Sequence, residues 1–289
     1  IGAPLSKQLM AHFNSPGGNG AQEALLVMAA IYTIFMLFGA LMVRVPAAGW
    51  KPEGWTPKVQ SSGMISTASV AVDTAWKTPQ FWLLWLVLCM NVSAGIGVLG
   101  RASDMFQDMF LVNPANPAEK AINVDIGTGF AGLLSIFNLG GRFLWSSVSD
   151  RVGRKPVYCI YFILGAMLYA LLPWAQQTQS KVLFVALTAV IISMYGGGFA
   201  TIPAYLKDMF GTYQVGAIHG RLITAWSMAA VIGPLLINGL YDKRVASGIP
   251  KAQAYNDTFY LMCGLLAVGL IANLLVRPVN PRHHTQSVS

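Results

Sequence analysis

Charge is what this sequence has least of. Only 10% of its 289 residues are Asp, Glu, Lys or Arg, where a soluble globular protein carries about 25%. That shortage excludes an ordinary hydrated surface. Acidic residues are scarcer than basic ones, 11 against 19, for a net charge of +8. The excess does not point to nucleic acid, because the basic residues sit in short connections, with no basic domain and no aromatic interleaving. Cysteine is scarce as well. Cys89, Cys159 and Cys263 lack metal-ligand spacing and fall in apolar stretches, so they read as small packing residues. No metal and no cofactor is implied. No nucleophile, base and orienting group assemble into a catalytic set, so the chain does not read as an enzyme.

Apolar residues are abundant, at 55%, and they are gathered into runs. Charge-free windows cover 24–43, 78–100, 156–180, 182–206, 222–241 and 258–276, and 127–149 matches them except for Arg142. A spanning helix takes roughly 20 residues at about 1.5 Å each, so each window is long enough to cross a bilayer. The expected fold is an all-α polytopic membrane protein whose first partner is lipid. A guanidinium inside hydrocarbon costs at least ~2.5–3.5 kcal/mol. A membrane protein that keeps one has a use for it, and a fixed cation suits an anionic ligand. Asn138 shares a helix face with Arg142 at i, i+4, where it can orient the guanidinium or touch the ligand. The plainer alternative is an arginine held structurally by Asn138 or by helix carbonyls.

Counting Lys and Arg on alternate sides of the windows gives a topology. One side collects Arg44, Lys51, Lys58, Lys77, Arg151, Arg154, Lys155, Lys207, Arg221, Arg277 and Arg282. The other collects Lys7, Arg101, Lys120, Lys181, Lys243, Arg244 and Lys251. The richer side is expected to be cytoplasmic, with the amino terminus outside and the carboxyl terminus inside.

The chain opens on Ile1, with no signal-peptide pattern, and 1–10 reads as the end of a helix that has lost what came before it. Turn formers fill 14–20. The longest polar connection, 45–77, holds Pro46, Pro52, Pro57 and Ser61-Ser62-Gly63 and has too few apolar residues to build a core, so it reads as a linker. Trp76, Pro79 and Trp82 near its end fit a helix entering the membrane interface. This divides the chain into 1–44, a linker 45–77, a bundle 78–277 and a tail 278–289. Gly95, Gly97 and the run Gly196-Gly197-Gly198 allow close helix approach. Pro203 and Gly233-Pro234 are expected to interrupt their helices.

A charged motif lies in the short connection between the third and fourth apolar windows: Gly141, then Asp150-Arg151-Val152-Gly153-Arg154-Lys155. An aspartate at a helix end faces three cations in a loop too short to wander. Such a cluster can latch neighbouring helices and be remade as they move. Plain topogenic charge is the competing reading.

These residues resemble the cytoplasmic loop motif of the major facilitator superfamily, in its second-half copy between the eighth and ninth of twelve helices. The resemblance implies helices six to twelve of that fold. Residues 1–44 would be the end of helix five, an outer loop and helix six, 45–77 the central cytoplasmic linker, and 278–289 a cytoplasmic tail. The amino-terminal helices of the same protein would be the missing partner. It also implies the topology that the charge count gave. A closer resemblance, to the oxalate/formate antiporter family related to monocarboxylate porters, is carried by Phe81-Trp82, the run 91–97, the run 138–145 and the run 220–226.

In that family an arginine at the place of Arg142 is implicated in binding the substrate carboxylate, and a lysine in helix eleven supplies a second cation. Here Trp226 stands at the lysine position. A single intramembrane cation suits a monocarboxylate. The candidate substrate-binding residues are Arg142, Asn138, Trp226, Asn91 and Tyr195, and the candidate gating motif is Gly141, Asp150, Arg151, Gly153, Arg154 and Lys155. The implied function is alternating-access transport of a small organic anion, by antiport or proton symport, in a bacterial inner membrane. His219, beside Arg221, is a group that could titrate during a proton-coupled cycle. A complete seven-helix sensory or structural membrane protein is the other reading.

Overall fold

The computed structural model describes residues 2–15, 18–44, 47, 50, 51, 53, 54, 64–66, 68–110 and 124–285. Part of the expected linker (Pro46, Pro52, Pro57, Lys58 and 61–63 included), Pro16 and Gly17 of the first turn, Lys120 and the last four residues of the tail lie outside the described residues. The chain divides into two units, Ile1–Ser61 and Ser62–Ser289.

The first unit holds α1 (Gly2–His12) and α2 (Ala21–Met42). Gly20, at φ 66, makes the turn into α2, a left-handed conformation that costs glycine little. Helix α2 is apolar nearly all round, and only Ala24 of its side chains is buried. An evenly apolar helix needs lipid or other helices around it.

The second unit is built of α3 (Val72–Ala75), α4 (Pro79–Gly100), α5 (Ala102–Met109), α6 (Val124–Val152), α7 (Arg154–Gln177), α8 (Lys181–Phe210), α9 (Val215–Leu222), α10 (Thr224–Ala246), α11 (Lys251–Ala254) and α12 (Asn256–Leu275). Local chemistry sets several boundaries. Thr78 caps α4 by accepting from the Phe81 amide at 3.4 Å, and Pro79 fills the first helical position, where its missing N–H costs nothing. Ser180 caps α8 and Gly211, at φ 76, ends it. Gly153, at φ 99, is the single residue between α6 and α7.

Six described helices are long and apolar enough to cross a membrane: α2, α4, α7, α8, the run 215–246 and the run 251–275. Helix α6 has the length, with 29 residues or about 43 Å. Asn138 and Arg142 make it more polar than the others. The expected window 222–241 lies in α10 from Thr224 on, and a short helix, α9, leads into it and ends at Leu222. Pro203 and Pro234 do not interrupt their helices as expected: α8 and α10 run through them. Flanking turns hold each helix together, although proline gives no N–H to the carbonyl one turn earlier.

Helix α8 is the centre of the bundle, with residues 191–198 all buried. Helix α6 packs against it through small residues. A Cβ on Gly141 would overlap the Ser193 carbonyl, one on Gly196 the Asn138 carbonyl, and one on Gly197 the Trp145 side chain. Trp145 Nε1 donates to Ser193 Oγ at 3.2 Å across the same seam. The glycine run therefore serves helix packing, the use expected of it, and sets the register of α6 on α8.

The two ends of the bundle differ in charge. Arg154, Lys155, Asp208, Arg221 and Asp73 meet neighbours at one end. Arg101, Asp108, Arg244 and Asp257 do so at the other. Residues 66 and 68–75, which sequence places in the linker, pack on the first of these ends. Ser66 N donates to Asp208 O at 2.7 Å, and Val70 N to Phe210 O at 2.8 Å.

Candidate functional site

Asn138 and Arg142 stand one turn apart on α6, and Arg142 Nε donates to Asn138 Oδ1 at 3.3 Å. The Arg142 guanidinium carbon lies 5.2 Å from the centroid of the Phe199 ring on α8, within cation–π range. Phe199 in turn meets Trp226, the third residue of α10, with ring centroids 5.5 Å apart. Tyr195, one turn before Phe199, sits close enough to Trp226 and Arg142 to interact with both. Its ring lies across Gly95 of α4, where a Cβ would collide with it.

Four of the five candidate residues, Arg142, Asn138, Trp226 and Tyr195, thus come together where α6, α8 and α10 meet. Asn91 does not join them at the open face. It is only 5% exposed, lies against Gly198 and shares with Tyr195 the lining of a small cavity. Phe199 was missed by sequence reasoning. Its signal is its spacing, one turn after Tyr195 and directly after the glycine run.

Arg142 is not enclosed in this unit as its place in an apolar window suggested. It is exposed on α6, among the exposed Leu139, Phe143 and Leu144. Asn138 takes only the Nε edge, and among the described residues neither Nη atom has a partner. That geometry leaves the two-nitrogen fork of the guanidinium open. A guanidinium fork matches a carboxylate through parallel N–H···O bonds. The aromatic rings beside it offer an apolar wall to whatever the carboxylate carries.

The charged motif forms a second cluster, arranged differently from its sequence order. Asp150 does not face three cations. It pairs with Arg154, Nη2 to Oδ1 at 2.6 Å. Arg154 also donates to Ser149 Oγ and to Asp208 Oδ2 of α8, the latter at 3.4 Å. Lys155 turns to α12 instead, where Nζ donates to the carbonyls of Leu274 and Val276 at 2.8 and 2.7 Å. A cation there satisfies open carbonyls and the helix dipole together. Arg151 is exposed. The left-handed Gly153 reverses the chain so that consecutive cations point to different helices. Arg154 therefore ties α6 to α8, and Lys155 ties α7 to α12. Asp208 was missed because it is far away in sequence. His219 is half-buried on α9. Among the described residues no group of three His, Cys, Asp or Glu is placed to hold a metal ion.

The chain is similar to several proteins described as transporters, one of them, YhjX, described as uncharacterized. It is 28% identical to the oxalate:formate antiporter of Oxalobacter formigenes over 54% of this chain and 35% of that protein. It is 22% identical to the MFS-type transporter YhjX of Escherichia coli (strain K12) over 73% of this chain and 48% of the relative. It is 26% identical to monocarboxylate transporter 14 of Mus musculus over 50% and 26%. The matches thus span at most about half the length of these relatives. The model of the Major Facilitator Superfamily matches residues 102–289. With that match over well more than half of the chain, and six helices able to cross a bilayer, the chain belongs to the Major Facilitator Superfamily and is an integral, multi-pass membrane protein.

Proposed function

We propose that this chain is the carboxyl-terminal part, helices six to twelve, of a twelve-helix secondary transporter for small organic anions, and that its substrate is a monocarboxylate. The observation that carries the reading is the open fork of Arg142, held by Asn138 on one edge and flanked by Phe199 and Trp226. One fixed cation with an aromatic wall suits one carboxylate on a small apolar body. The oxalate:formate antiporter and monocarboxylate transporter 14 among the relatives favour the same substrate class. Trp226, where that family's pattern has a second cation, argues for a single negative charge.

The cycle that follows is alternating access, with two six-helix halves moving around a midplane site. The Arg154 end of the bundle faces the cytoplasm in this reading, as its excess of Lys and Arg requires. The missing amino-terminal helices cover the open face of α6 and α10, and a bacterial inner membrane is the setting.

The test is competition in proteoliposomes carrying the full-length protein. Unlabelled formate, acetate, lactate, oxalate and succinate are set against labelled acetate and labelled formate. Monocarboxylates should compete and the dianions should not. No saturable uptake of either label, or oxalate and succinate inhibiting as well as the monocarboxylates, would refute the reading.

A further inference from the structure

Helix α10 carries Trp226 in its first turn and is tied at both ends to groups outside the site. At the cytoplasmic end the tie runs through α9. Arg221 donates from Nη2 to Asp73 Oδ1 at 2.8 Å and from Nη1 to Val72 O at 3.2 Å, and lies 5.8 Å from the Trp76 ring. Val72 N donates to Gln214 Oε1 at 2.7 Å, just before α9. The receiving segment is itself held by the bonds of Ser66 and Val70 to the end of α8, and it lies on Gly211, where a Cβ would collide with Ala68 and Ser69.

At the opposite end Tyr241 donates its hydroxyl to Asp108 Oδ2 at 2.8 Å. Tyr255 donates to the same oxygen at 3.0 Å, and Arg101 lies 4.6 Å above the Tyr241 ring. This tie joins α10 to α5 and to the start of α12.

Midway between Trp226 and Tyr241 the helix meets α4 through glycine. A Cβ on Gly233 would crowd the Ser93 carbonyl, and one on Gly97 would overlap Ile237. Pro234 follows at once and removes one helix hydrogen bond there. Backbone contact at the middle with polar ties at the ends is the geometry of a lever on a fulcrum. Both ties are polar contacts near the bundle ends, of the kind that can exchange with water.

Resting on the transport reading above, we infer that α10 is a two-clamp lever. The Arg221–Asp73 clamp closes the substrate site toward the cytoplasm, and the Tyr241–Asp108 clamp closes it toward the outside. Reorientation opens one clamp while the other holds. Within the movement of the two halves, α10 is the element that tilts and carries Trp226 with it.

The test places Ala230→Cys, one turn beyond Trp226 on its face, in the full-length protein lacking Cys89, Cys159 and Cys263. A membrane-impermeant thiol reagent is applied to right-side-out and inside-out vesicles. Tyr241→Phe removes one hydroxyl and keeps the ring, and should raise labelling from outside about two- to tenfold, the population shift that loss of one hydrogen bond produces. Asp73→Asn should raise labelling from inside by a similar factor. Asp73→Glu keeps the charge and should restore the original pattern. Shifts in the same direction, or none in either variant, would overturn the lever. A parent protein whose labelling ignores a mixture of formate, acetate and lactate on both sides would instead sink the transport reading beneath it.

Discussion

The guanidinium of Arg142 lies 5.2 Å from the ring of Phe199, a residue on another helix and 57 positions later in the chain. The pairing explains how a charge in an apolar helix is held without being neutralised. The ring supports one face of the guanidinium, Asn138 takes Nε, and the fork stays available. The ring is placed by packing. Gly141 and Gly196 bring α6 and α8 to backbone contact, so the register of that seam decides which α8 side chain lies beside Arg142.

If the fork holds the carboxylate, Arg142→Lys should keep the charge and lose the two-point geometry. A lost charged hydrogen bond is worth about 1.5–3 kcal/mol, or roughly ten- to hundredfold in affinity. Arg142→Gln should be weaker still. Inhibition constants from competition in vesicles, at matched expression, measure both. Affinity equal to wild type in both variants would return Arg142 to a structural role.

Trp226→Lys should widen the substrate range toward dianions. A second cation beside Phe199 would offer a partner to a second carboxylate. The readout is the ratio of oxalate to acetate competition in the same assay. An unchanged ratio in a well-expressed variant would mean that Trp226 does not face the substrate.

Neighbouring glycines should respond differently to the same substitution. Gly141→Val drives a side chain into the Ser193 carbonyl, whereas nothing lies within 4 Å of a Cβ on Gly140. Overpacking costs about 1–3 kcal/mol, so Gly141→Val should lower the melting temperature in detergent and Gly140→Val should leave it near wild type. Equal melting temperatures would contradict the close α6–α8 seam.

The Arg154 cluster should control rate rather than choice of substrate. Asp208→Asn removes the α8 carboxylate that Arg154 holds alongside Asp150 of α6 while keeping its shape. Exchange should slow, with inhibition constants for competing anions unchanged. Lys155→Gln acts on α12 instead, and its main effect should be lower thermal stability. A selectivity change in Asp208→Asn would count against a gating role.

Much of this was readable before any coordinates. Spans follow from length and apolarity, because a bilayer leaves only helices as a way to satisfy the backbone. The Asn138–Arg142 bond was also legible, since i, i+4 neighbours on a helix meet whatever the fold around them. The charged motif announced a latch, but its wiring did not follow from sequence order. Asp150 and Arg154 pair locally, while Lys155 and Asp208 find their roles on helices more than fifty residues away. Phe199, the gathering of Tyr195 and Trp226, and the withdrawal of Asn91 into the interior were decided by packing alone. The physical reason is one of range: within a helix, hydrogen-bond geometry sets every neighbour, but between helices the distance and register are set by where glycines allow backbones to touch.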